Sequence, residues 1–221
     1  MPVQDDAREI ELVRLFNLTV PEERQRADID AYLRMGEREF PFELKSTTGR
    51  SISTVRDFGP DHIAKWQGIH WVFGFYDRAG IRLLHCHYAS PDDMRPWIDE
   101  KAEYVRPDVV LADHAPDLVT ASMLHESLGA KAQYTLDDAR RIHKRQYTTD
   151  EYRARMDLED GYSPGRMLEI LQDRCEHVIK RGSTLNNPHI PGSYFEGWER
   201  ITENHAIRLR ELVAEFARRL P

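Results

Sequence analysis

The chain lacks the features of a disulfide-rich, zinc-binding or membrane-embedded protein. Its 221 residues include only two cysteines, Cys86 and Cys175, which match no CxxC or zinc spacing, so we expect two reduced thiols. No apolar run approaches the roughly 18 residues of a membrane span, and the N-terminus is acidic where a signal peptide is basic. Internal repeats and low-complexity tracts are missing too. These absences predict a cytoplasmic, continuously folded protein that can bury a hydrophobic core.

The net charge of −7 argues at first sight against nucleic-acid binding, but the charges are unevenly distributed. The first 43 residues carry eleven acidic residues against six arginines, a balance that suits cations. Residues 131–155 carry seven lysines and arginines against four acidic residues. The sequence therefore predicts an acidic pole and a basic pole in one chain.

Helical and extended patterns alternate in the first half of the chain. AREIELVRLFN predicts a helix over roughly residues 5–17, and RADIDAYL, RMGERE and FPFELKS predict an antiparallel hairpin. A second helix is expected to begin at Pro60, followed by a hairpin of IHWVFGFYD and IRLLHCHYA. The pattern is mixed from Pro91 to about residue 125 and largely helical from Thr135 onward, except for GSTLNNPHIPGSYF, whose glycines, asparagines and prolines predict a recognition or interface loop.

The first hairpin is predicted to bring carboxylates and a lysine together. If its turn centres near Gly36, residues whose numbers sum to about 73 face one another, which sets Asp30 opposite Glu43 and Asp28 opposite Lys45. Period-two alternation puts these four side chains on one face. Carboxylates that are this close repel unless a cation shares the site, and oxygen ligands without histidine or cysteine favour Mg²⁺ over zinc.

Lys45 indicates the type of reaction. A lysine beside a metal-bound water can orient that water or help to deprotonate it, or can neutralise charge that develops on a phosphate. The apolar residues of FPFEL place the other strand face on a core, and Ser46 and Thr47 follow as donors to phosphate. The alternative interpretation is an edge hairpin with ordinary surface salt bridges.

Asp30, twelve intervening residues and then Glu43-Leu44-Lys45 resemble the D…ExK core of the PD-(D/E)xK nuclease superfamily, which includes type II restriction endonucleases and Holliday-junction resolvases. Superfamily cores run helix, antiparallel hairpin, helix and strand, and residues 5–77 can be read in that order. The resemblance implies an α/β fold with a restriction-endonuclease-like core, a mixed sheet flanked by helices, near residues 1–125. It also implies a mainly helical part at 126–221 that contacts DNA and forms the dimer. The alternative is that both parts belong to one continuous domain.

The same resemblance implies functional residues. Asp30 and Glu43 are expected to bind Mg²⁺, with Asp28 as an additional or alternative ligand, while Lys45 positions the attacking water. Glu9 or Glu11 on the first helix can add a carboxylate. The residues whose chemistry suits DNA contacts are Ser46, Thr47, Arg50, Arg56, Lys65, Arg140, Arg141, Lys144, Arg145, Lys180, Arg181, Asn186, Asn187 and His189.

The sequence thus predicts a Mg²⁺-dependent endonuclease that cuts double-stranded DNA sequence-specifically as a homodimer, because cutting both strands of a palindrome needs two sites related by a two-fold axis. Two alternatives stay open. One is a structure-specific nuclease, such as a Holliday-junction resolvase or a repair nuclease. The other is a non-catalytic DNA-binding regulator, whose acidic hairpin would be structural. His85 and His87 are expected to share a strand face as structural residues, with Cys86 facing away.

Overall fold

The computed structural model describes residues 4–21, 29–55, 58–182, 185 and 187–219. Within these ranges the helices are α1 (Gln4–Phe16), α2 (Pro60–Trp66), α3 (Pro91–His114), α4 (Ala121–Leu128), α5 (Leu136–His143), α6 (Thr149–Ala154), α7 (Pro164–Gly182) and α8 (His205–Ala217). The strands are β1 (Ala31–Met35), β2 (Arg38–Thr47), β3 (Ile52–Ser53), β4 (His70–Tyr76), β5 (Leu83–Ala89) and β6 (His189–Ile190). Short 3-10 helices span Ala115–Leu118 and Gly192–Phe195.

Four strands form a mixed sheet in the order β1-β2-β4-β5. The β1/β2 and β4/β5 pairs are antiparallel, whereas β2 and β4 are parallel. A parallel pair needs a crossover connection, and the segment that contains α2 supplies it. Strands β3 and β6 form a separate antiparallel pair. The chain is therefore an α/β protein with a mixed sheet and a mainly helical C-terminal part, as the sequence predicted at this level.

The first hairpin has the predicted register. Met35 pairs with Arg38 and Ala31 with Phe42, so paired residue numbers sum to 73. The two-residue turn between the strands starts at Gly36, whose φ of +64° is a left-handed value that glycine adopts without strain. Turn chemistry therefore fixes which residues of β1 and β2 face each other.

One face of the sheet packs on α1 and α8. Buried side chains of both helices form a single core with β1, β2 and β4. Gly74 of β4 lies under Leu12 of α1, where an added Cβ would come within 3.1 Å of the leucine side chain. This close approach seats α1 directly over the middle of the sheet.

The opposite sheet face is aromatic. Trp71 and Phe73 of β4 stack with ring centroids 5.6 Å apart, and Trp66 of α2 contacts Trp71 at 4.7 Å. Phe195 contacts Phe73 at 5.0 Å. Trp66 is thereby a core residue, and its burial anchors α2 against the strand that follows it.

Contacts divide the chain into two compact units, residues 1–102 with 185–221 and residues 103–184. The sequence placed its division near residue 125, whereas the division in the structure falls within α3, and the C-terminal segment groups with the N-terminal sheet. Hydrogen bonds of about 2.9 and 2.8 Å between Cys86 and Ile201 contribute to this grouping.

The second unit, residues 103–184, has its own hydrophobic core. Leu124, Tyr134, Tyr152, Tyr162 and Met167 are buried in it. Thr135 and Thr148 cap α5 and α6 through reciprocal hydrogen bonds with the acidic residue three positions later. The cap at Thr135 confirms the helical pattern that the sequence predicted from this residue onward.

Two local predictions are corrected. The stretch after Pro91, predicted as mixed, begins with the 24-residue α3. The breaker-rich segment 182–195 contributes β6 and a 3-10 helix instead of an irregular loop. Partners elsewhere in the chain explain the last difference, because β3 satisfies the backbone of β6.

Across the described ranges, no helix is long and apolar enough to cross a membrane. Cys86 is buried, Cys175 is partly buried, and both are free thiols, as expected.

Candidate active site

Glu43 and Lys45 lie on β2, the strand that β1 and β4 flank. The Lys45 Nζ donates to Glu43 Oε1 at 2.6 Å, and the two side chains are 18% and 5% exposed. Burial would raise the pKa of Glu43, but the ammonium groups of Lys45 and Lys65 outweigh it and lower that pKa. Burial likewise opposes the charge of Lys45, but Glu43, Asp30 and Glu9 raise its pKa. Both groups are therefore ionised at neutral pH.

Lys65 joins the same carboxylate from α2. Its Nζ lies 3.2 Å from Glu43 Oε2, so each carboxylate oxygen accepts from a different lysine. The burial of Trp66 next in sequence fixes the helix in this position. The sequence placed Lys65 among possible DNA contacts, and the structure brings it to Glu43.

Asp30 immediately precedes β1 and is 5% exposed. Its Oδ2 accepts from the backbone N–H of Leu44 at 2.7 Å, and its own N–H donates to the carbonyl of Phe42 at 3.2 Å. The backbone pairing thus continues to Asp30 and holds its carboxylate against β2 at Leu44, between Glu43 and Lys45 in the sequence. Asp28, the other candidate ligand, lies outside the described residues.

The two acidic residues considered on α1 have different environments. Glu9 acts on the charge of Lys45 and lines a cavity of about 270 Å³ with Lys45 and Ser46. Glu11 instead accepts a hydrogen bond of 2.9 Å from the hydroxyl of Tyr76. Glu9 is therefore the α1 carboxylate that belongs to the candidate site, whereas Glu11 secures α1 to β4.

The donor set fits a hard divalent cation with few protein ligands. Asp30 and Glu43 offer buried carboxylate oxygens, and Mg²⁺ commonly binds one or two carboxylates while keeping several waters. No group of three histidine, cysteine or acidic side chains is arranged for metal binding among the residues that the structure describes. Lys45 and Lys65 each occupy one acceptor position of Glu43, so a cation that binds this carboxylate would compete with two ammonium groups for it.

The other predicted DNA-contact residues of the first unit, residues 1–102 with 185–221, lie at separate places in the structure. Ser46 lines the small cavity, whereas the Thr47 hydroxyl donates to Ser51 O at 2.8 Å and accepts from Gly49 N at 3.0 Å, which closes a turn. Arg50 is exposed after that turn. Of the remaining candidates, Asn187 is half-buried, His189 is exposed on β6, and Arg56 and Asn186 lie outside the described residues.

In the second unit, the basic residues do not form one helical face. Arg140 and Arg141 lie on α5, which ends at His143. Lys144 and Arg145 follow in left-handed conformations, with φ of 54° and 61°, so the helical pattern predicted from Thr135 onward is interrupted at these two residues. Near the end of α7, Lys180 pairs with Glu176 at 2.5 Å and Arg181 is exposed.

His85 and His87 share one face of β5, as predicted, and Cys86 points to the opposite core. His85 stacks on Phe75 at 4.8 Å, and His87 stacks on Phe195 at 5.4 Å. Burial lowers the pKa of His85 to about 4 and also lowers that of His87, so both rings are neutral at physiological pH.

Sequence reasoning alone did not single out Ser53 and Thr54, which line the cavity beside Lys45. Their only local signal was their position between the first hairpin and α2. Neither the protein-family models nor the curated proteins give a match to this chain.

Proposed function

We propose that the protein is a Mg²⁺-dependent endonuclease that hydrolyses phosphodiester bonds in double-stranded DNA, with a restriction-endonuclease-like core of the PD-(D/E)xK type. The arrangement around Glu43 carries this proposal. A buried carboxylate on β2 contacts one lysine from its own strand and another from the crossover helix, and the hairpin register supplies Asp30 beside it. A surface salt-bridge ladder, the simpler interpretation, would leave these groups exposed.

In the proposed reaction, Asp30 and Glu43 would hold the metal ion. When bound, Mg²⁺ polarises the scissile phosphate and lowers the pKa of a coordinated water. Lys45 donates hydrogen bonds to the attacking water or to the phosphate oxygens, where negative charge develops. Lys65 balances the charge of Glu43 before the ion binds. Ser46 and Ser53, which line the cavity beside Lys45, would donate hydrogen bonds to the substrate backbone.

Sequence-specific cutting by a homodimer remains part of the proposal. The exposed basic residues of the second unit, Arg141, Lys144 and Arg145, supply charge for the phosphate backbone. A two-fold dimer would present two copies of the Glu43 site to the two strands of a palindrome.

The test is cleavage of plasmid, phage and branched DNA by the purified chain, with and without Mg²⁺. Lys45→Met and Asp30→Asn should each abolish cleavage, and Glu39→Gln is the matched control. Glu39 lies on the same strand but forms an exposed pair with Arg34 at 2.5 Å. The control should cut like the unmodified protein, and thermal denaturation should show that every variant is folded.

Each outcome has a defined meaning. Discrete fragments from linear DNA support a sequence-specific enzyme, whereas cleavage confined to branched DNA supports a structure-specific nuclease. If Mg²⁺ and Lys45→Met both leave DNA binding unchanged and no DNA is cut with any divalent ion, the nuclease proposal fails. The regulator would then be the better interpretation.

A further inference from the structure

A second and larger cleft lies where β2 and β4 end. It has a volume of about 990 Å³, at the upper end of the roughly 300–1,000 Å³ typical of small-molecule sites. Phe75 and His85 line it from the strands, while Phe195 and Trp198 line it from the C-terminal segment. Arg50, Arg78 and Arg200 also line it.

The aromatic side chains offer flat apolar surfaces. His85 is half-buried and stacks on Phe75 with an interplanar angle of 5°. Trp198 is half-buried and packs edge-on against Phe195 at 5.3 Å. Because His85 is neutral at physiological pH, it adds an uncharged ring to this surface. Such rings stack on any nucleic-acid base.

The three arginines make the cleft a site for an anion. All three are exposed, and none makes an ion pair or a hydrogen bond with a residue in the described part of the chain. Two acidic residues also line the cleft. Asp77 accepts from the backbone N–H groups of Ile81 and Arg82, so its carboxylate is engaged, whereas Glu196 is exposed.

Backbone packing connects this cleft to the Glu43 site. The chain runs from Lys45 on β2 directly to Thr48, Gly49 and Arg50 in the cleft wall. On the opposite wall, an added Cβ on Gly192 would lie 2.5 Å from the carbonyl oxygen of Arg50. Only glycine permits that approach, so the two walls are held together by a contact that a side chain would prevent.

We propose that this cleft binds one unstacked nucleotide, with its base against the aromatic rings and its phosphate between the arginines. The inference rests on the proposed nuclease function for the source of the nucleotide. A base paired inside a duplex cannot reach such rings, so the substrate strand must present an unpaired or flipped-out nucleotide close to the scissile bond. A free nucleotide has the same chemistry and is distinguished by experiment.

Binding can be measured without cleavage in EDTA, which withholds divalent metal. Fluorescence anisotropy would compare a paired duplex with the same duplex carrying one unpaired nucleotide, and deoxynucleoside monophosphates would serve as competitors. We expect Trp198→Ala to weaken binding of the unpaired-nucleotide duplex about tenfold, with little effect on the paired one. Arg78→Ala and Arg200→Ala should each reduce the slope of the logarithm of the binding constant against the logarithm of salt concentration by about one. Arg34→Ala, at the far end of the β1/β2 hairpin, is the matched control.

If Trp198→Ala does not fold, the two arginine variants still test the proposal. Arg78 and Arg200 are exposed, so their replacement should not unfold the protein. Equal affinity for the two duplexes, together with unchanged binding by the arginine variants, would overturn the proposal even if the protein cuts DNA. Preferential binding without Mg²⁺-dependent cleavage would support the cleft and reject the nuclease function. Competition by monophosphates as strong as that by the oligonucleotide would identify a free nucleotide as the ligand.

Discussion

Replacing Glu43 with glutamine gives the sharpest test of the candidate site, because its effect on stability does not depend on knowing the substrate. The carboxylate is 5% exposed and its two lysine partners are 18% and 21% exposed. Removing one side of a buried ion pair costs about 3–5 kcal/mol. Since both lysines retain some contact with water, we expect about 3 kcal/mol, at the lower end of that range.

Thermal denaturation followed by circular dichroism would measure this loss. In a domain of this size, 1 kcal/mol shifts Tm by roughly 2–4 °C, so Glu43→Gln should lower Tm by about 6–12 °C. Glu39→Gln removes the same charge from the same strand, but its partner Arg34 is 67% exposed. That surface pair should contribute no more than about 1 kcal/mol.

The difference should also depend on pH. Because the pKa of Glu43 is lowered in the folded protein, its stabilising contribution is present above the ordinary value of 4.5 and is lost as pH falls through the folded pKa. The gap in Tm between the unmodified protein and Glu43→Gln should therefore close in acid. A Tm for Glu43→Gln equal to that of Glu39→Gln at neutral pH would refute the described ion pairs.

Three further predictions concern the rest of the fold. Burial lowers the pKa of His70 from 6.5 to about 4, so the contribution of its neutral ring to the unfolding free energy is complete above pH 6.5 and falls by about 3 kcal/mol as pH drops towards 4. The unfolding free energy of His70→Gln should depend less on pH over this range. Gly161→Ala should cost about 1–3 kcal/mol in urea denaturation, since its Cβ would lie 2.7 Å from a backbone oxygen, whereas Gly182→Ala, with open space, should not destabilise. Tyr76→Phe should lower the unfolding free energy by about 1.5 kcal/mol, because it removes the hydrogen bond from the Tyr76 hydroxyl to the Glu11 carboxylate on α1. Tyr104→Phe, at an exposed position, should leave Tm unchanged.

Local chemistry explains why parts of the fold were predictable. The glycine turn of the first hairpin fixed a register in which paired residue numbers sum to 73. Extended by one pair, this register sets Asp30 opposite Glu43. Thr135 marked a helix start through a cap that involves the acidic residue three positions later. Alternation on β5 separated His85 and His87 from Cys86. All of these depend on interactions within a few residues or across one tight turn.

The failed predictions concern segments whose partners are distant in sequence. The breaker-rich stretch before the last helix gained regular structure because β3, more than a hundred residues earlier, pairs with it. The helical pattern predicted from Thr135 onward is interrupted at Lys144 and Arg145, which adopt left-handed conformations that the charge pattern does not reveal.

The sequence by itself determined the register of the first hairpin, since the glycine turn fixes how β1 pairs with β2 and strand alternation sets Glu43 and Lys45 on one face. Tertiary structure alone decided that Lys65 would reach Glu43, because the parallel pairing of β2 with β4 and the burial of Trp66 position α2. It also decided which α1 carboxylate faces the site and how the C-terminal segment completes the second cleft. These outcomes depend on how layers pack over long chain distances, where local propensity carries little information.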